Sequence, residues 1–205
     1  MKFEPFQITE HDVQKISEMV YESNREILQY AFGKKKKNAQ KRIARLIKIG
    51  KNHYGYENVY IAFDENKIAG FFFGYTGKEQ NYRLKNTNSF TFLKLMLTYG
   101  YIKYKLFIRP LFMKISLVDI KEDDFYISNI IVGENYSDKD VDIFLFENAK
   151  KVAISKNCKN IVTDSSLDNY KSKEFNEKHG FEIYDKKEAV VKSEKIGNYF
   201  MRYRL

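Results

Sequence analysis

Cysteine is nearly absent: Cys158 is the only one in 205 residues, so no disulfide can close within the chain, as suits a reducing compartment. Proline occurs twice, at Pro5 and Pro110, which excludes a proline-rich linker, and no low-complexity tail or internal repeat is found. The opening residues, Met1-Lys2-Phe3-Glu4-Pro5, lack the apolar run of a secretory signal. Long apolar runs are missing elsewhere too. The most apolar region, Phe90 to Val118, is broken by Lys94, Lys103, Lys105, Arg109 and Lys114. It therefore falls short of the ~20 uninterrupted residues of a membrane span. His11 and His53 form no metal-ligand spacing with each other or with Cys158, so no metal is expected. Cys158 stands just before a buried strand and reads as a small core residue. A soluble cytoplasmic protein is the expectation.

Apolar residues make up 43 % of the chain and charged residues 31 %, a globular balance. The length suits one domain over 1–205 with room for an insertion. The formal net charge of +9 concentrates anions near the surface without choosing among them. Its densest cluster, Lys34 to Lys37 followed by Lys41 and Arg42, reads as a solvated loop and helix start. No nucleic-acid-binding motif is present, and no nucleic-acid partner is expected.

Hydrophobic periodicity orders the elements. Residues 3–8 read as a strand. Thr9 reads as a helix N-cap with Asp12 as a shortened capping-box partner, followed by an amphipathic helix within 10–30 carrying Val13, Ile16 and Val20. A second helix is expected over about 37–49, with Ile43, Leu46 and Ile47 inward. Val59–Phe63 and Ile68–Phe73, joined by Asp64-Glu65-Asn66-Lys67, read as a β-hairpin. Residues 76–120 read as a mostly helical insertion. A strand from Asp124 to Val132, a helix over 138–156, a short buried strand at Asn160–Thr163 and a helix over 169–179 follow. Gly180 caps that last helix, and strands at Phe181–Tyr184 and Tyr199–Tyr203 close the chain. The class is α/β with a mixed sheet.

This order, with these local sequences, resembles the GNAT superfamily of acyl-CoA-dependent N-acyltransferases. The hairpin looks like the family's second and third strands. Tyr126-Ile127-Ser128-Asn129-Ile130-Ile131-Val132 looks like its fourth strand, and Tyr136–Leu145 takes the place of the pyrophosphate loop and its helix. The run Phe175-Asn176-Glu177-Lys178-His179-Gly180-Phe181 is the most specific piece. The resemblance implies a central mixed β-sheet flanked by helices, with the helical insertion between the third and fourth strands. It also implies acetyl-CoA or another acyl-CoA as co-substrate. The pantetheine arm would lie along Ile130, Ile131 and Val132, with Asn169 in contact. The pyrophosphate would meet Ser137, Asp138, Lys139, Asp140, Val141 and Asp142 at a helix start, where unpaired N–H groups favour anions.

The sequence departs from the family at three points. The loop positions that the family fills with Arg or Gln, Gly, and Gly or Ala are Ser137, Asp140 and Asp142 here, and Asp138 adds a third carboxylate. Read by itself, Ser137 is an N-cap with Asp140 at its capping-box position. The position of the family's general base is Ser128, and that of its tyrosine acid is Asn176. Tyr126 is a second candidate acid and Tyr170 a weaker one. His179, at a helix end before Gly180, reads as structural. Two functional readings follow. The first is an N-acyltransferase acting on a small-molecule or peptide amine. The second is a catalytically degenerate relative that binds a ligand or partner. A peripheral membrane role ranks last, and a homodimer is one use for the apolar insertion.

Overall fold

The computed structural model describes residues 1–23, 25–32, 35–86, 119–191 and 194–205. Seven strands form one mixed sheet in the order β1-β2-β3-β4-β5-β7-β6. They are β1 (Lys2–Pro5), β2 (Val59–Asp64), β3 (Lys67–Thr76), β4 (Asp124–Val132), β5 (Asn160–Ser166), β6 (Glu182–Val191) and β7 (Glu194–Arg204). The described helices are α1 (Val13–Ser23), α2 (Arg25–Phe32), α3 (Lys36–Ile49), α4 (Gly77–Asn86), α5 (Val141–Ser155) and α6 (Tyr170–Lys178).

The first helix starts later than its sequence suggests. Asp12, not Thr9, caps α1, accepting from the N–H groups of Gln14 and Lys15 at 2.8 and 3.1 Å. The amphipathic helix expected within 10–30 is α1, with α2 following over Arg25–Phe32. On α1 and α3 the buried stripe is Val13, Ile16 and Val20 with Ile43, Leu46 and Ile47, as the 3.6-residue period requires. These side chains cover one face of β2 and β3, meeting Val59, Ile61, Phe71 and Phe73. The opposite face packs Tyr60, Phe72, Phe125 and Ile127 against Val141, Leu145, Phe146 and Ala149 of α5. Gly70 lets α5 approach the sheet: a Cβ there would lie 2.8 Å from the Ile131 carbonyl oxygen and 3.0 Å from Val141 and Leu145 methyls.

The β2–β3 hairpin turns at Glu65, whose φ is +54°. The helical insertion expected over 76–120 begins in α4, and residues 87–118 lie outside those described. At its start Thr76 and Glu79 form a reciprocal capping box, with bonds of 2.8 and 3.0 Å. Lys156, at the end of α5, pairs with Glu79 at 2.6 Å and ties α4 to that helix.

Two features of β4 position the site. Its register against β3 slips between Phe73↔Asn129 and Gly74↔Ile127, so Ser128 is the extra residue of a β-bulge. Its pairing with β5 is parallel, as the strand–helix–strand order around α5 predicts, but stops at Ile127↔Thr163. Beyond that point β5 continues only with β7, to Ser166↔Asn198, while β4 continues only with β3, to Val132↔Gly70. The two parallel strands part there and leave a cleft between them. Among the described residues, no helix is long and apolar enough to cross a membrane.

Candidate active site where the parallel strands part

The cleft is lined on β4 by Ser128 and the residues after it. Ser128 is buried, and its Oγ meets no hydrogen-bond partner. Leaving a hydroxyl buried and unpaired costs about 1–3 kcal/mol. The edge of β4 that faces β5 is free of ladder pairing from Ser128 to Val132, so Ile130, Ile131 and Val132 stand where the family resemblance puts a pantetheine arm.

Tyr126, a candidate acid in the sequence, is joined here by an aspartate on the neighbouring strand that sequence reading passed over. Asp164 is the first β5 residue beyond the paired stretch. It lies half-buried and accepts a short hydrogen bond from the Tyr126 hydroxyl at Oδ1. Asn198 Nδ2 on β7 donates to its Oδ2 at 2.8 Å. Burial pushes the Asp164 carboxyl up from 3.8 to about 6, against the lowering effect of the Tyr126 bond and a bond to its own backbone. Tyr126 is held well above the ordinary tyrosine range, first by burial and then by the Asp164 charge. Aromatic groups close the same side: Tyr75 packs on Tyr126 at 5.3 Å, and His53 lies 6.1 Å from the Tyr126 ring with Nδ1 3.2 Å from the Tyr75 hydroxyl. The signal for Asp164 is the period of two. Ile161 and Thr163 face one way, and Val162 and Asp164 the other, but the sequence reading ended the strand at Thr163.

The other candidates fall into place around the cleft. Asn176 is buried on α6, its amide donating to Met201 Sδ at 3.7 Å across from Thr163. A primary amide is far too weak an acid to protonate a leaving thiolate, and this one is turned onto Met201, so its part here is packing. Asn169 caps α6, accepting from the Ser172 N–H at 3.1 Å, and Tyr170 beside it is exposed. His179 is engaged within its own helix end: its Nδ1 lies 2.7 Å from the Phe175 carbonyl and its ring lies tilted against Phe175 at 4.1 Å. Cys158 is buried, with its thiol pushed up to about 11 by burial, and is a core residue. Among the described residues no group of three His, Cys, Asp or Glu side chains is placed to hold a metal ion.

The loop before α5 differs from its sequence reading. Helix α5 starts at Val141, and Asp140 takes the N-cap position with left-handed dihedrals (φ 50°, ψ 31°) and no side-chain cap bond. Ser137 is therefore not the cap. It ends a short 3-10 turn over Glu134–Tyr136, and its Oγ reaches only the Glu134 carbonyl at 3.4 Å. The reason is tertiary: Val141 is docked in the core against β3, which fixes where the helix can begin. Asp142 turns its carboxylate onto the Ile143 N–H at 2.9 Å, so one first-turn donor already holds an anion from the chain itself. Lys139, the loop's cation, is paired with Asp64 at 3.3 Å and lies over the Tyr136 ring. The parted strands thus fit a pantetheine arm, whereas the helix start crowds a pyrophosphate with Asp138, Asp140 and Asp142.

No family model matches the sequence, and no curated protein is similar to it. Solved structures are similar. An N-acetyltransferase from Staphylococcus aureus Mu50 aligns with 99 % of this chain and 100 % of its own, at a TM-score of 0.66 and 15 % identity. A candidate GNAT-family acetyltransferase from Desulfovibrio desulfuricans aligns with 99 % of this chain and 98 % of its own, at 0.59 and 10 %. Ard1 from Thermoplasma volcanium covers 100 % of this chain and 97 % of its own, at 0.52 and 12 %. The chain has the GNAT fold. At these identities the likeness extends to the course of the backbone and not to the chemistry. In GNAT-fold terms the cleft is the gap between the fourth and fifth strands, and α5 is the helix that follows the fourth.

Proposed function

We propose that the protein transfers an acyl group from a pantetheine thioester of the acyl-CoA class to an amine held in the cleft between β4 and β5. The observation that carries this reading is the parting of the strands beyond Ile127↔Thr163, with the buried Ser128 hydroxyl unpartnered at its edge. A thioester seated there gives Ser128 the acceptor it lacks, and the free edge of β4 gives the arm a strand to lie along. Ser128 acts as a hydrogen-bond donor, since a lone hydroxyl is no base at neutral pH. Fixing amine and thioester in one cleft supplies much of the acceleration, because positioning alone is worth up to ~7–11 kcal/mol. The pyrophosphate contributes little affinity against three carboxylates. Calorimetry comparing acetyl-CoA, coenzyme A and pantetheine tests this. Pantetheine should retain most of the binding free energy, and acetyl-CoA should release thiol when a primary amine is added. Absence of binding by all three would overturn the reading.

A second reading keeps the fold without the chemistry. It is favoured by one feature, the Asp142 carboxylate already seated on the Ile143 N–H of the helix start. On that reading the cleft holds an amine or a partner's side chain and no acyl donor binds.

A further inference from the structure

The position expected for a base on β4 is a serine, and the carboxylate nearest in register to the point where the strands part stands instead on the neighbouring strand. We infer that Asp164 binds the acceptor as an ammonium ion and takes its proton, with Tyr126 and Asn198 as positioning residues that hold the carboxylate in place. The inference rests on the acyl-transfer reading for the fate of the amine, but not for its binding.

Three observations converge. Asp164 occupies the first unpaired step of β5, so it is the carboxylate nearest in register to the point where β4 and β5 part. Each of its oxygens takes one donor, from Tyr126 and from Asn198, so the group is oriented while carboxylate lone pairs stay open on its half-buried side. Around it stand ring faces and hydroxyls. Among the described residues, the titratable groups on this face are Tyr126 on β4, Tyr75 on β3, Tyr184 on β6, and His53 and Tyr54 ahead of β2. Arg202 lies two steps along β7, opposite Val162, and its guanidinium lies over the Tyr184 ring and is drawn toward Asp124, away from Asp164. A carboxylate bonded to Tyr126, whose ring packs on Tyr75, and unclaimed by a lysine or arginine among the described residues suits an alkylammonium, which gains an ion pair and cation–π contact together.

The proton balance is straightforward. The ammonium R–NH3+ gives one proton to Asp164, leaving a neutral amine and a neutral carboxylic acid. The amine nitrogen attacks the thioester carbonyl carbon, the C–N bond forms and the C–S bond breaks. The pantetheine sulfur leaves as thiolate and takes the proton held by Asp164, which gives the thiol and restores the carboxylate. The second proton lost from nitrogen passes to solvent. The carboxyl titrates near about 6, so it is mostly ionised at neutral pH and yet a stronger base than an ordinary aspartate.

The test separates binding from transfer, with butylamine as the probe. The wild-type protein should bind butylammonium at pH 7.5 and lose at least tenfold in affinity at pH 5. Asp164→Asn should lose the same factor at pH 7.5 while binding acetyl-CoA or pantetheine unchanged. Tyr126→Phe removes a bond that stabilises the ionised carboxyl, so the acid midpoint of butylammonium binding should move to higher pH. Equal butylammonium binding by wild type and Asp164→Asn, or an unmoved midpoint in Tyr126→Phe, overturns the inference. Intact ammonium binding without thiol release from acetyl-CoA would leave it standing and count against acyl transfer instead.

Discussion

Asp164 is a residue placed against the interest of the fold. Burial disfavours the charge and pushes its carboxyl up from 3.8 to about 6. Between those two values the native state binds more protons than the unfolded chain, so stability falls as pH rises through the window from about 4 to 6. Above it the penalty is complete, at most about 3 kcal/mol for a shift of this size. Asp164→Asn should remove it. The amide accepts from Tyr126 through Oδ1, and Asn198 can turn its own amide to present an oxygen to the new NH2. The expected gain is about 1–3 kcal/mol at pH 7.5, vanishing below pH 4, in urea unfolding at several pH values. A variant no more stable at pH 7.5 than at pH 4, relative to wild type, would show that the carboxyl is not strained by burial. Gain in stability with loss of ammonium binding is the signature of a functional charge.

At the scale of elements, strands were legible and helix starts were not. The alternation at Asp124–Val132 and the turn-forming joint at Asp64–Lys67 specify strands whatever surrounds them, and the sheet holds both. Caps depend on dihedrals that docking sets. Thr9 and Ser137 have the right chemistry, but Asp12 and Asp140 occupy the cap positions, and the Thr76–Glu79 capping box lay unread inside the insertion. The cleft itself was legible only by resemblance, since the end of strand pairing leaves no local mark in the sequence. The start of α5 yields a prediction of its own. Asp140 sits at a φ of +50°, where glycine is unstrained, so glycine there gains up to ~1 kcal/mol. Glycine at position 142 loses about as much in helix propensity. The double variant Asp140→Gly/Asp142→Gly should therefore melt within a few degrees of wild type. Two fewer carboxylates near a pyrophosphate, and an N–H freed at Ile143, should tighten coenzyme A binding on the order of tenfold. Pantetheine binding should not move. Unchanged or weaker coenzyme A binding would mean that the pyrophosphate does not meet this helix.

At the scale of the whole molecule the question is what the insertion does for the cleft. Ile120, the residue just beyond it, packs on Tyr75, Tyr126 and Val162, so the chain re-enters the sheet on the side that carries Asp164. The segment's sequence is strongly apolar, with Phe92, Leu93, Met96, Leu97, Tyr101, Leu106, Phe107, Leu111 and Phe112. Apolar patches beyond a few hundred Å² seldom remain in water without a function. The use expected of this segment, a lid over the acceptor side, falls on residues outside those described, and its removal tests it. Deleting residues 87–118 is feasible. Gly77 starts α4 directly against Lys121, and a ten-residue helix runs ~15 Å, within reach of a flexible linker of about eight residues from Asn86 back to Asp119. The variant should unfold cooperatively, because the sheet and the capping box of α4 are intact. If the segment serves as a lid, its loss should let water reach the thioester. Acetyl-CoA hydrolysis in the absence of amine should rise, and the KM for butylamine should rise with it. Unchanged hydrolysis and unchanged KM would dismiss the lid. A deletion variant that turned from dimer to monomer, or that lost only liposome binding, would assign the apolar surface to self-association or to a lipid surface instead.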